Sequence, residues 1–324
     1  MKISDVIYGE DDIKEPVLVE LINSPSLQRL KKIAQYGVPR KLYHLPGFSR
    51  YEHSIGVVLL LRKLGASLEE QIAGLLHDVS HSAFSHVIDW VIGDIETKNY
   101  QDTVHKKFIS ESEIPAIITK YGVNTDLIIE NKKFGLLERE ASELCADRVD
   151  YTLKELFHTW GERKAIKICA ENLVNHQGRV VFRNKEAASL FGGLYLRCQR
   201  EHWAGRETVI RYHLFSNLLK TCLAKGILET QDFYKDDESV MQKVLNSNNK
   251  EIVSKLELLK RKDIATINSE NGSTLTLRKK FRYIDPCYLD KGEVIRLSEA
   301  DEHYRNLLKE ARQHNQAGIT FTEL

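Results

Sequence analysis

The stretch His77-Asp78-Val79-Ser80-His81-Ser82-Ala83-Phe84-Ser85-His86 follows directly on Ile72-Ala73-Gly74-Leu75-Leu76, an apolar run that belongs in a core. Three imidazoles and a carboxylate at the end of a buried segment cost several kcal/mol unless they are paired or bind a metal ion. His77 and His81 stand one helical turn apart and share a face if the helix runs that far. Adjacent His and Asp offer nitrogen and hard oxygen together, a mixture suited to a borderline or hard divalent cation. A capped helix end with satisfied surface histidines accounts for the same ten residues, so their surroundings must decide.

Upstream, His53 opens a strongly apolar helix, Ile55-Gly56-Val57-Val58-Leu59-Leu60-Leu61, preceded by Ser49-Arg50-Tyr51-Glu52. Downstream, Asp147 lies in Leu144-Cys145-Ala146-Asp147-Arg148-Val149-Asp150-Tyr151, again beside small and apolar residues. Neither residue marks a site by itself. Their order with the doublet, His … His-Asp … Asp, is what sets them apart from lone structural residues.

Helical periodicity dominates the chain. It predicts helices over 16–35, 53–65, 68–79, 84–93, 103–120 and 136–158, between turn signals such as Gly37-Val38-Pro39 and Pro46-Gly47. A second helical set covers roughly 160–175, 185–201 and 206–226, with Arg179-Val180-Val181-Phe182 as a short strand. Residues 232–263 are charged and amphipathic and read as one or two solvated helices. Asn268 to Ser273 reads as a flexible loop. Leu275–Ile284 and Val294–Leu297 flank Asp290-Lys291-Gly292 as a strand pair, and a helix over about 299–312 precedes a polar tail. The fold class expected is mainly α, a helical bundle over 1–230 with a small α+β appendage over 231–324.

The chain has 324 residues, enough for a large core. Its 47 basic and 46 acidic residues leave a formal charge of +1. That balance argues against bulk nucleic-acid binding, which leaves a basic footprint, and allows only weak local contact. Five scattered cysteines without a CxxC pair read as reduced thiols. With no apolar signal core and no run long enough for a bilayer, the expectation is a cytoplasmic protein without a membrane partner.

The spaced blocks resemble the HD-domain phosphohydrolases, metal-dependent enzymes named for the His-Asp doublet. The likeness is greatest to their deoxynucleoside triphosphate triphosphohydrolase branch, which includes the human sterile-alpha-motif and HD-domain enzyme. It is carried by Asn23-Ser24-Pro25-Ser26-Leu27-Gln28-Arg29-Leu30, Gln35-Tyr36-Gly37, Pro46 through Val57, Gly74 through His86, and Asp147-Arg148-Val149-Asp150-Tyr151. Arg282-Tyr283-Ile284-Asp285-Pro286 through Glu299 also resembles the tail of microbial members.

The resemblance implies that His53, His77, Asp78 and Asp147 hold one divalent or transition metal ion, with Fe, Mn, Zn, Co and Mg all open. It implies that His81 and His86 face bound phosphates, and that His105, paired with Asp89, protonates a leaving oxygen. Arg50, Arg148 and Arg197 match phosphate-contacting positions, and Tyr151 and Gln35 match positions that meet sugar and base. The implied partners are a nucleotide substrate, most simply a dNTP cleaved to deoxynucleoside and triphosphate, and further copies of the chain in a dimer or tetramer.

Two departures qualify this. The branch carries a Tyr-x-His signature in a later helix, where Gly205 and Glu207 stand in Trp203-Ala204-Gly205-Arg206-Glu207. Asn23 and Lys31 replace an aspartate and an arginine of an allosteric guanine site while Gln28 is kept, which speaks against GTP-type activation. A phosphodiesterase or nucleotidase acting on another phosphoester, and a nucleotide-binding module without turnover, are the rival readings.

Overall fold

The computed structural model describes residues 1–43, 47–93, 100–130, 134–266 and 273–323. The loop expected over 268–273 lies outside them except for Ser273. A hairpin of β1 (Lys2–Asp5) and β2 (Gly9–Asp12) leads into α1 (Pro16–Asn23) and α2 (Pro25–Arg29). The single helix expected over 16–35 is broken at Ser24, whose side chain caps the second piece ahead of Pro25.

Helix α3 (Arg50–Lys63) starts at a capping box, Ser49 with Glu52, and is buried without interruption from His53 to Leu61. A helix apolar all round belongs at the centre, and α3 packs on α4 (Leu68–Leu76) and on α9 (Ala146–Glu155). Helix α4 stops at Leu76, one residue before the doublet, so His77 and His81 do not share a helical face. The chain turns because Arg29 takes the freed carbonyls of Val79 and His81, donating from Nη2 at 2.8 Å to each.

The helix expected over 84–93 is a 3-10 turn, Ser85–Val87, followed by α5 (Ile88–Val91). Phe84 and Ser85 stand at φ 64° and 43°, a region that non-glycine residues seldom adopt and that breaks a helix there. The next expected helix divides into α6 (Tyr100–Ser110) and α7 (Ile114–Lys120), ahead of α8 (Thr125–Ile129). Only the C-terminal half of 136–158 is helical. There α9 runs into a π-helical turn, Leu156–Trp160.

Beyond α10 (Arg163–Glu171), β3 (Leu173–His176) pairs with β4 (Arg179–Phe182), the strand expected from sequence. Helix α11 (Lys185–Cys198), a second π turn at Gln199–Trp203 and α12 (Arg206–Ala224) complete the bundle wall. The 232–263 segment is not a solvated pair. Its helices α13 (Asp237–Asn246) and α14 (Lys250–Lys260) bury Val240, Val244, Ile252, Leu256 and Leu259 in one cluster with Phe84, Val87, Phe215 and Leu219.

The strand pairing near the C-terminus also differs from expectation. β5 (Thr274–Leu277) pairs with β8 (Ile319–Thr322), in what read as a polar tail, while β6 (Cys287–Asp290) turns onto β7 (Glu293–Arg296). Between the last strands lie α15 (Leu297–Ala300) and α16 (Glu302–Ala317), the latter packing on α11. β6 also lies parallel to β4, giving one sheet of order β3-β4-β6-β7 that draws on both sides of residue 230. The fold is thus a helical bundle with a small sheet-containing C-terminal region, and that region reaches back to the bundle.

Candidate active site

The donors expected from sequence converge at the floor of a cavity of about 440 Å³, within the roughly 300–1,000 Å³ typical of small-molecule sites. His53 enters from α3, His77 from the end of α4 and Asp147 from the first turn of α9, and one ligand atom of each lies within 4.8 Å of the others. Asp147 Oδ1 is 3.0 Å from His53 Nε2 and 3.6 Å from His77 Nε2. Asp78 reaches the same two nitrogens at 3.6 and 3.5 Å. Helix ends supply three of the four because a terminal side chain projects past the bundle.

The donor set fits a divalent cation. His53 Nδ1 lies 2.6 Å from Asp150 Oδ2 and His77 Nδ1 lies 2.7 Å from the Gly74 carbonyl. Both acceptors place the ring proton on Nδ1 and leave a lone pair on each Nε2, which face one another at 3.2 Å. Two lone pairs beside two carboxylates repel unless a positive charge sits among them. The two carboxylates favour positive charge between the rings, whether a cation or a proton on Nε2. Burial favours neutral imidazole at His77, yet Asp78 and Asp147 raise it to about 9. Burial also favours a neutral Asp78, but Arg50, His77 and His81 hold its carboxyl well below the usual range.

A buried chain of polar groups backs the first histidine. Asp150 Oδ1 accepts from Lys154 Nζ at 2.7 Å, and the same ammonium lies 3.0 Å from Asp5 Oδ2 on β1. The relay is legible only in three dimensions, since Asp5, Gly56 and Lys154 carry no local signal.

Around the floor, His81 Nε2 lies 3.3 Å from Asp78, and burial and Arg50 push its imidazole down to about 4. The expected pairing of His105 with Asp89 is corrected. Asp89 faces His86, Oδ2 to Nδ1 at 3.2 Å, whereas His105 Nδ1 meets Ser80 Oγ at 2.8 Å. His86 and Asp89 stand three residues apart on adjoining helical turns, so they meet locally. Burial pushes His86 down to about 3 and His105 to about 4.

The arginines divide. Arg50 lines the cavity but holds Asp78 at 2.6 Å and donates to Ser85 Oγ. Arg148 also lines it, but its guanidinium bonds the carbonyls of Arg139, Glu140 and Glu143 and the carboxylate of Glu138, bracing the turn before α9. Arg197 is not among the lining residues. Its position on α11 turns it to Glu162 and Glu201, over the Trp160 ring.

Tyr151 and Gln35 do line the cavity. Tyr151 bonds Tyr195 at 2.5 Å, and Gln35 Oε1 is buried without a hydrogen-bond partner among the described residues. At this end Trp203 meets Tyr151 edge-on at 5.3 Å, so an aromatic wall exists despite Gly205. His202, which sequence reasoning passed over, lies between Tyr36 and Tyr43 and bonds the buried Glu155. Glu155 Oε2 is left without a partner among the described residues. Lys279, Lys280 and Arg282 also reach the cavity, from a segment that carried no expected role.

Residues 50–152 match the HD-domain family model. The Bacillus subtilis protein YdhJ is 36% identical over 98% of both chains. This chain belongs to the HD-domain family. Two further relatives carry functional names. The metal-dependent phosphohydrolase cns2 of Cordyceps militaris is 28% identical over 90% of this HD-domain chain and 86% of its own. The human deoxynucleoside triphosphate triphosphohydrolase SAMHD1 is 25% identical over 71% of this chain and 45% of its own. A solved phosphohydrolase from Bacteroides thetaiotaomicron superposes over 100% of both chains with a TM-score of 0.69 at 17% identity, a likeness of fold. This HD-domain protein is of the metal-dependent phosphohydrolase class. Among the described residues no helix is long and apolar enough to cross a membrane.

Proposed function

We propose that this HD-domain protein hydrolyses a nucleotide phosphoester, with a deoxynucleoside triphosphate as the leading substrate and triphosphate as the leaving product. The single supporting observation is one cavity with three zones: a His-His-Asp cluster at its floor, cations on one side, and an aromatic end with buried, unpartnered acceptors. The roles that follow are assigned on that reading.

His53, His77, Asp78 and Asp147 hold the ion. When bound, it supplies Lewis acidity for the phosphorus centre and lowers the pKa of water. Arg50 fixes the Asp78 carboxylate. His86, with Nδ1 on Asp89, turns Nε2 into the cavity as proton donor to the departing oxygen. Burial keeps this imidazole neutral in the free protein; a polyanion set against Nε2 opposes that and loads the proton as substrate arrives. Glu155 and Gln35 line the end of the cavity that takes sugar or base, and Trp203 and Tyr36 pack on it.

One observation favours a second reading, a nucleotidase or phosphodiesterase on another nucleotide. Arg197, a clamp that the triphosphate reading expects, is bound to Glu162 and Glu201 outside the cavity lining. Product analysis separates the two. Protein loaded with Mn or Fe is incubated with each dNTP, alone and with GTP, and with nucleoside monophosphates and cyclic nucleotides. Triphosphate release supports the first reading; orthophosphate from monophosphates, or ring opening, with all dNTPs inert, replaces it by the second.

A further inference from the structure

We infer that the C-terminal region carries part of the substrate site: Arg282, with Lys280 beside it, binds the phosphate chain where it passes His86. This rests on the phosphohydrolase reading and extends it to residues outside the family-matched segment 50–152.

The segment between β5 and β6 is a strap across the cavity, and it is tied down at several points. Lys279 and Lys280 give their carbonyls to Asn315 Nδ2 at 3.2 Å and Gln199 Nε2 at 3.4 Å. Ile284 gives its carbonyl to Tyr304 Oη at 2.8 Å, and Asp285 N donates to Ser142 O at 2.7 Å. Side chains along an extended strap alternate between its faces. Phe281 and Tyr283 stack on one another, centroids 5.2 Å apart, with Arg312 over both rings. Lys280 and Arg282, at the alternate positions, line the cavity. Lys279 lines the cavity as well, with its ammonium over the Tyr212 ring, so the alternation holds from Lys280 to Tyr283 and sets Arg282 on the cavity side.

Their charges are only partly compensated, by Asp102 and Glu138 across the cavity from Lys280 and by Asp147 from Arg282. Among the described residues no carboxylate lies within ion-pair distance of either, whereas Arg50 is matched to Asp78 and Arg148 to Glu138. The contact of the Arg282 guanidinium in the cavity is with His86, Nη2 to Nε2 at 3.4 Å, a neutral ring that cannot balance it. A cation held over a half-buried cavity by a rigid strap, next to the imidazole that faces the leaving group, is an arrangement suited to a polyanion. On this assignment Arg282 takes over the clamp that Arg148 and Arg197 do not provide. Moving onto the phosphates, it also releases His86 Nε2.

The test is calorimetric titration of inorganic tripolyphosphate and of orthophosphate into the full-length protein with Mn, comparing wild type with Arg282→Ala, Arg282→Lys and Lys280→Ala. Losing a charge-assisted fork weakens tripolyphosphate by about tenfold or more in Arg282→Ala, with orthophosphate, which spans only the ion's end, affected less. Arg282→Lys recovers part of the loss, Lys280→Ala shows a smaller one, and the salt dependence of binding flattens in both alanine variants. A tripolyphosphate Kd within twofold of wild type in Arg282→Ala overturns the assignment, and a lowered melting temperature with that unchanged Kd marks Arg282 as structural. Wild-type protein that binds neither probe overturns the triphosphate-releasing reading on which the assignment rests.

Discussion

Replacing Gly56 by Ala is the sharpest probe of the support behind the metal centre. Helix propensity says that the change stabilises α3 by about 1 kcal/mol. The structure says the reverse, because an added Cβ would lie 1.9 Å from Lys154 Nζ and 2.0 Å from Asp150 Oδ1. Both groups are fully buried and tied to His53 and Asp5, so neither can swing into solvent. Breaking a buried ion pair costs about 3–5 kcal/mol, so the net loss after the propensity gain is about 2–4 kcal/mol. The second consequence is at the ion. Asp150 orients His53 through the 2.6 Å contact to Nδ1, and loss of such a partner weakens metal binding by about 10–100-fold. Urea unfolding read by circular dichroism gives the first quantity, and competition with a chromophoric chelator gives the second. The same substitution in a Lys154→Ala background should cost markedly less, since the closest clash is then removed. Gly56→Ala protein as stable as wild type, with a metal Kd within twofold, would refute the reasoning.

Three other outcomes are expected. Asp147→Asn and His77→Ala should lose metal by elemental analysis together with turnover, and chelator should lower the melting temperature of wild type but not of these variants. His86→Ala and Asp89→Asn should each reduce kcat by about 10²–10⁴-fold, and His105→Ala by less; equal losses at His86 and His105 would return His105 to the acid role. Asp237 accepts from Ala34 N at 2.9 Å and Phe84 N at 2.7 Å, and burial raises its carboxyl to about 7. A raised carboxyl keeps its proton in the folded state after the unfolded chain has lost it. Its contribution to stability therefore falls as pH rises from about 4 to about 7 and is level above that. Asp237→Asn should flatten this limb in a pH series of denaturant midpoints; an unchanged slope assigns it to other groups.

The candidate metal donors were legible because they are few, chemically distinctive and set in apolar surroundings that otherwise exclude charge. Order and flanking residues singled out His53, His77, Asp78 and Asp147, and the resemblance to the HD-domain phosphohydrolases implied their role as ligands. The pairing of His105 was misread because spacing does not show which imidazole a carboxylate meets. Asp89 found the histidine three residues away on the adjoining turn. His202 was passed over because a lone histidine after the charged pair Arg200-Glu201 looks like surface, and only the π turn at Gln199–Trp203 carries it inward. The charges of α13 and α14 concealed a buried face and the carboxylate that clamps the strained turn before His86.

Sequence by itself determined the helical bundle and singled out the His … His-Asp … Asp set as candidate donors, and its resemblance to the HD-domain family implied the class of chemistry. The first two depend on local periodicity and on the intrinsic cost of burying imidazole and carboxylate. Tertiary structure alone decided which cations face the cavity, which acid sits behind which base, and that a strap from the C-terminal region closes the site. A guanidinium in an ion pair is spent, and one with no carboxylate within ion-pair distance is not; that difference is a matter of distances across the fold, which spacing along the chain does not encode.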